Sequence, residues 1–118
     1  MASYAPPNLY KPMSYIASNA GERKFICNGC GSSQAKFDFI PDSVYFLKIR
    51  QACDIHDWMY HYGKGIEGKE EADRAFLNNM LRLIERGNRF LKPLRRRRAL
   101  KYYEAVVAFG GPAYWSNK

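Results

Sequence analysis

The chain has few cysteines, no long apolar run and a shortage of acidic side chains relative to basic ones. Its three cysteines are too few for the dense disulfide framework of small secreted proteins and allow at most one internal bridge. No apolar stretch reaches the roughly 20 residues that a membrane-spanning helix needs. No basic start followed by an apolar stretch is visible, so no signal peptide is predicted. Three locations remain open: the cytoplasm, a phage or virion particle, and the exterior after non-classical export.

The charge balance favours an anionic partner. Lysine and arginine number 19 against 11 acidic residues, a formal charge of +8. Such a surface attracts nucleic acid, an acidic membrane or a phosphate-bearing substrate. Arginines at 95–98 stand in one predicted helix, where four consecutive side chains extend most of the way round and cannot all meet one flat surface. Charge alone does not choose among these partners, and the oligomeric state is not predicted.

The pattern predicts a mainly α-helical, small single domain. Residues 1–24 are expected to be an extended N-terminal arm that packs over the domain formed by 25–118. Helical periodicity indicates two antiparallel core helices over 42–62 and 69–86, the first starting at Asp42 or Ser43, and a third C-terminal helix over 93–109. A glycine-rich segment, 27–33, precedes the first helix and favours tight turns.

Three polar residues stand among the apolar positions of the two core helices. His56 belongs to the buried stripe of the first helix, and Asp57 lies at its edge. Asp73 belongs to the apolar stripe of the second helix. A carboxylate on a core face needs polar partners, and His56 and tyrosine hydroxyls are the candidates. A histidine beside a carboxylate is suited to work as a base near neutral pH.

These residues form a motif. Cys53-x-x-His56-Asp57-x-x-Tyr60, a preceding Asn28-Gly29-Cys30-Gly31 loop and Asp73 on a later helix together resemble the phospholipase A2 superfamily, in particular its cysteine-poor microbial or phage-type branches. The resemblance covers roughly half of the chain. It implies calcium-dependent hydrolysis of the sn-2 ester of glycerophospholipids. Because that reaction needs a lipid interface, we expect an anionic phospholipid surface as the partner and nucleic acid as the less favoured one.

The resemblance also implies a role for each residue. His56 would be the base that takes a proton from water, and Asp73 would orient it, with Tyr60 and one of Tyr102 or Tyr103 bound to Asp73.

Asp57 would bind Ca²⁺ together with the main-chain carbonyls of Gly29, Gly31 and Ser33. Cys30 or Gly31 would supply the oxyanion N–H, and a Cys30–Cys53 bridge would leave Cys27 unpaired. Ser33 stands where the family's loop has a further glycine.

Two alternatives use the same segment. Cys27, Cys30, Cys53 and His56 have the spacing of a Cys₃His zinc site, which would make the chain a zinc-stabilised basic binding module for nucleic acid or protein. That site would leave Asp57, Tyr60 and the core-facing Asp73 without a role. The chain could also be a phospholipase-like scaffold without activity.

Overall fold

Three long helices, packed side by side, contain more than half of the residues that the structure describes. They are α3 (Arg50–Tyr62), α4 (Gly65–Glu85) and α5 (Lys92–Phe109). The computed structural model describes residues 9–27 and 43–116. It adds the short helices α1 (Met13–Ala17), α2 (Ala20–Ile26) and α6 (Gly111–Trp115) and the strands β1 (Ser43–Val44) and β2 (Leu47–Lys48). The predicted mainly helical class is confirmed. None of the helices in these described ranges is long and apolar enough to span a membrane.

The antiparallel pair of core helices is present as predicted. Only two residues join α3 to α4, so the helices run back along each other, with Tyr60 near Lys69 and His56 near Asp73. Their apolar stripes meet α5 in one core, and burial of such stripes is the main stabilising contribution in a domain of this size. Its buried members include Ala52, Ile55, Met59, Ala72, Phe76, Met80, Ile84, Ala99 and Val106. Compared with the prediction, α4 begins four residues earlier and α5 one residue earlier.

The N-terminal arm differs from the prediction. Residues 1–24 were expected to be extended, but the described part contains α1 and α2. A capping box starts α2, because the side chains of Asn19 and Glu22 each accept from the other residue's backbone N–H. The predicted packing over the body is observed: the ring of Tyr15 meets Trp58 edge-on at 5.5 Å, and the backbone of Tyr10 is hydrogen-bonded to the side chain of Asn79.

A β-hairpin replaces the predicted start of the first core helix. The helix was expected from Asp42 or Ser43, but Ser43 pairs with Lys48 and Val44 with Leu47 in an antiparallel ladder, and α3 begins only at Arg50. The turn residues Tyr45 (φ 44°) and Phe46 (φ 70°) both have positive φ, the geometry of a tight hairpin. Val44 is almost fully buried, so the hairpin adds an apolar side chain to the core.

The arginines at 95–98 divide between the interior and the surface. Arg95 is buried and donates from Nε and Nη2 to the Tyr45 carbonyl at 3.2 and 2.7 Å. Arg96 pairs with Glu85, and Arg98 lies over the Tyr45 ring at 5.5 Å. The expectation that they cannot share one surface is therefore confirmed, and Arg95 stabilises the hairpin turn.

Candidate active site

Two facing helices bring a histidine and a carboxylate together in the core. His56 on α3 and Asp73 on α4 are each 2% exposed, and His56 Nε2 lies 2.8 Å from Asp73 Oδ1. The imidazole is enclosed by the rings of Tyr60 and Phe76, with centroid distances of 4.2 and 4.7 Å. The side chains are fixed by helices and packed rings rather than by loops, so the pair is held in one geometry.

Two further donors bind the same carboxylate. The Tyr60 hydroxyl donates to Oδ1 of Asp73 at 2.7 Å, as the resemblance implied. The second donor is Lys69, whose Nζ lies 2.8 Å from Oδ2. The expectation that Tyr102 or Tyr103 binds Asp73 was wrong. The Tyr102 hydroxyl instead donates to the Ser43 carbonyl at 3.3 Å, because α5 faces the hairpin at that position.

The environment sets the charges of the pair. Burial lowers the pKa of His56 and outweighs the Asp73 hydrogen bond that raises it, so the ring is neutral at pH 7. Burial alone would raise the pKa of Asp73, but the hydrogen bonds that it accepts from His56, Lys69 and Tyr60 hold that pKa below its usual value. The result is a neutral imidazole beside an ionised carboxylate.

That charge state fixes the tautomer of the histidine. An ionised carboxylate can only accept hydrogen bonds, so His56 Nε2 carries the proton that is shared with Asp73. Nδ1 then carries the lone pair. Burial also raises the pKa of Tyr60, which keeps its hydroxyl protonated as a donor to Asp73. The arrangement can accept a proton at Nδ1 while Asp73 stabilises the resulting imidazolium.

The predicted metal site lies only partly in the described structure. Asp57 follows His56 on α3 and is half-buried. Gly29, Gly31 and Ser33, together with the proposed oxyanion donor at Cys30 or Gly31, lie outside the described residues. Within 9–27 and 43–116 no group of three or more His, Cys, Asp or Glu side chains could hold a metal. A calcium site of one carboxylate and loop carbonyls does not require such a group, and Asp57 is a suitable hard ligand.

The cysteines bear on the zinc alternative. Cys53 is disulfide-bonded, whereas Cys27 is a free, buried thiol whose Sγ lies 3.1 Å from the Asp54 carbonyl oxygen. Cys30, the predicted bridge partner of Cys53, lies outside the described residues. Burial raises the pKa of Cys27 to about 12, so this thiol is protonated. Zinc binds thiolates, which neither the Cys53 disulfide nor the Cys27 thiol supplies, and this argues against the Cys₃His set.

Lys69 is the site residue that sequence reasoning missed. A lysine near a helix start is ordinarily a surface residue. Its signal was the spacing: Lys69 precedes Asp73 by four positions, which places the two side chains on the same face of α4. Since Asp73 belongs to the apolar stripe, a cation at that spacing is a candidate partner for it.

The chain is similar to conodipine-P3 of Conus purpurascens, with 39% identity over 83 residues, which are 67% of this chain and 42% of that protein. It therefore spans less than half of the length of this relative. No protein-family model matches the chain, and no solved structure matches it significantly. The similarity to conodipine-P3 indicates a phospholipase A2-like relationship, in agreement with the motif around His56.

Proposed function

We propose that the protein is a calcium-dependent hydrolase that cleaves the sn-2 ester of glycerophospholipids. The observation that carries this proposal is the buried contact of 2.8 Å between His56 Nε2 and Asp73 Oδ1. It leaves the lone pair on Nδ1, the nitrogen that can accept a proton from an attacking water. The phospholipase A2-like relationship to conodipine-P3 supports the same class of substrate.

The chain's own residues account for the proton transfer. His56 removes a proton from water at Nδ1 as the oxygen attacks the ester carbonyl, and returns that proton to the leaving alcohol oxygen. Asp73 stabilises the transient imidazolium through Nε2, while Tyr60 holds Asp73 in position. Asp57, with the carbonyls of Gly29, Gly31 and Ser33, would hold Ca²⁺. When bound, the ion supplies positive charge near the oxygen that becomes negative in the transition state.

The assay should separate the base from the other histidine of the chain. Mixed vesicles of a phospholipid with different sn-1 and sn-2 acyl chains are incubated with protein and either calcium or a chelator, and the released fatty acids are identified by mass. We expect calcium-dependent release of the sn-2 chain. His56→Gln should lower the rate by about 10²–10⁴-fold, the usual contribution of a general base. His61→Gln is the matched control, because His61 is exposed on the same helix.

A variant of Asp57, the proposed calcium ligand, tests the metal dependence separately. Asp57→Asn should raise the calcium concentration that gives half-maximal release, since a neutral amide binds calcium more weakly than a carboxylate does. A wild-type protein that releases no fatty acid at any calcium concentration or lipid composition would refute the proposed function. Release that is unchanged by the chelator would refute only its calcium dependence.

We further propose an anionic membrane surface as the partner. The candidate contact surface consists of Phe46, Arg97, Arg98 and Lys101: Phe46 is 93% exposed at the hairpin tip, Arg98 lies over the adjacent Tyr45 ring, and the other two are exposed on α5. Basic residues contribute about 1 kcal/mol each near an acidic bilayer. Arg97→Ser combined with Lys101→Ser should weaken sedimentation with phosphatidylglycerol vesicles and leave binding to neutral vesicles unchanged. Unchanged binding to both vesicles, with loss of binding to duplex DNA, would favour nucleic acid instead.

A further inference from the structure

The two oxygens of Asp73 have different partners. Oδ1 accepts from His56 and Tyr60, both on α3, whereas Oδ2 accepts from Lys69 Nζ at 2.8 Å. Lys69 is 7% exposed, and its ammonium is therefore almost fully removed from water. A buried charge is strongly unfavourable unless it is paired and hydrogen-bonded.

The other contacts of Lys69 fix it in place. Nζ also donates to the carbonyls of Val106 and Val107, at 3.0 and 3.4 Å, in the last turn of α5. The Val106 carbonyl also accepts from the Gly110 N–H at 2.9 Å, and carbonyls at a helix C-terminus attract positive charge. Three acceptors thus hold the ammonium, and the carboxylate on α4 is linked through it to the end of α5.

The charge of Lys69 matters because of the oxygen that it contacts. An ammonium group has only donors, so Oδ2 of Asp73, 2.8 Å from Nζ, accepts from it. Lys69 and Asp73 thus form an ion pair between side chains that are only 8% and 3% exposed. Without Lys69, the buried Asp73 would lose the cation on Oδ2, and burial favours the protonated form of a carboxyl group.

A protonated Asp73 would reverse the hydrogen bond to the histidine. Its hydroxyl could donate to Nε2, and the ring proton would then move to Nδ1. An imidazole with a proton on Nδ1 cannot accept one there from water. The cation on Oδ2 is thus connected through the carboxylate to Nδ1, the nitrogen that would take the proton from water in the proposed reaction.

From this geometry we infer that Lys69 is a positioning residue: it keeps Asp73 an acceptor and so holds His56 in the tautomer that works as a base. The inference rests on the proposed function for the reaction, but the tautomer itself can be observed without any turnover. Lys69 does not touch the reacting atoms; it acts through Asp73.

The first test is nitrogen-15 NMR of protein labelled at the histidine side chains, recorded at one pH near neutrality. Wild-type His56 should show its proton on Nε2. Lys69→Met should move it partly or fully to Nδ1, and Lys69→Arg should restore the wild-type pattern. Lys64→Met, at an exposed lysine five residues earlier, is the matched control. If Lys69→Met does not fold, Lys69→Gln removes the charge, keeps an amide donor and should shift the tautomer as well. A wild-type tautomer in the folded neutral variant would overturn the inference.

The second test is kinetic. Lys69→Met should lower kcat by about 10- to 100-fold, the usual effect of losing a supporting partner, with KM changed less than about twofold. In an Asp73→Asn background the same change should have little further effect, since the two residues act as one unit. An equally large further loss in that background would overturn the inference. Absence of lipid hydrolysis in the wild type would refute the proposed function, while the NMR result would still decide the role of Lys69.

Discussion

Removing one hydroxyl from the site gives a quantitative test of how Asp73 is held. The Tyr60 hydroxyl donates to the ionised Asp73 at 2.7 Å in the core, so Tyr60→Phe removes a bond to a charged group and leaves the ring packing intact. Such bonds contribute about 1.5–3 kcal/mol to stability, against about 0.5–1.5 kcal/mol for a bond to a neutral acceptor. The larger loss is expected because part of the charge of the carboxylate is then unsatisfied.

Tyr114→Phe is the matched control. Tyr114 is also buried, and its hydroxyl donates at the same distance, 2.7 Å, to the neutral carbonyl of Gly65. For a chain of 118 residues the entropy of unfolding implies that 1 kcal/mol shifts Tm by about 4 °C. Tm should therefore fall by about 6–12 °C in Tyr60→Phe and by about 2–6 °C in Tyr114→Phe.

Calorimetry and denaturant unfolding at pH 7 measure both losses, and the vesicle assay measures kcat. Only Tyr60→Phe should lower kcat, because only Tyr60 touches Asp73. Equal stability losses in the two variants would show that the Asp73 charge adds nothing to the Tyr60 bond. An unchanged kcat in Tyr60→Phe would show that Asp73 is held without this hydroxyl, and both results would contradict the reasoning.

Three further predictions concern the hairpin and the free thiol. Arg95→Ala should destabilise the fold by about 1.5–3 kcal/mol in denaturant unfolding, because it removes both hydrogen bonds that the buried Arg95 donates to the Tyr45 carbonyl. The exposed Arg97→Ala should change stability by less than about 0.5 kcal/mol. Phe46→Gly should stabilise the fold by about 0.5–1 kcal/mol in the same assay, because it relieves a positive φ and loses no buried contact; Phe46→Ala, which keeps the strain, should not. The pKa of Cys27 rises from 9.0 to about 12 on folding, so the native chain binds more protons between these values and the free energy of unfolding should fall as pH rises from 9 towards 12. Cys27→Ala should remove that part of the slope, and an identical slope in both proteins would contradict the assignment.

The sequence predicted the helices well where one face of each is apolar. The predicted stripe through Ala52, Cys53 and Met59 and the one through Phe76 and Met80 both meet the core. The same stripes placed His56 and Asp73 inside, and their hydrogen bond follows from the antiparallel arrangement of α3 and α4. Periodicity is a strong signal for long amphipathic elements.

The predictions were wrong where a contact between distant parts of the chain determines the local structure. The segment 43–48 contains residues that fit a helix or a hairpin equally well, and the turn is stabilised by Arg95, which comes some fifty residues later. Neither Lys69 nor Arg95 was predicted to be buried, but each donates to carbonyl oxygens that only the assembled fold brings close to it. The spacing to Asp73 is a signal for one partner of Lys69. Backbone acceptors on a distant element leave no such signal, because every residue carries the same carbonyl group.

The amide of Asn79 makes the N-terminal segment an integral part of the helix that carries Asp73. Its Oδ1 accepts from the Tyr10 N–H at 2.8 Å and its Nδ2 donates to the Tyr10 carbonyl at 3.1 Å, so a fully buried side chain pairs with the backbone as a neighbouring strand would. Cleaving the peptide bond that follows Tyr10 would allow Tyr10 to dissociate. Both polar atoms of the Asn79 amide would then be buried without a hydrogen-bond partner from Tyr10. Proteolysis at this point would therefore destabilise the helix that carries Asp73. The hydrogen-exchange rates of the Tyr10 amide and of the α4 amides should rise and fall together.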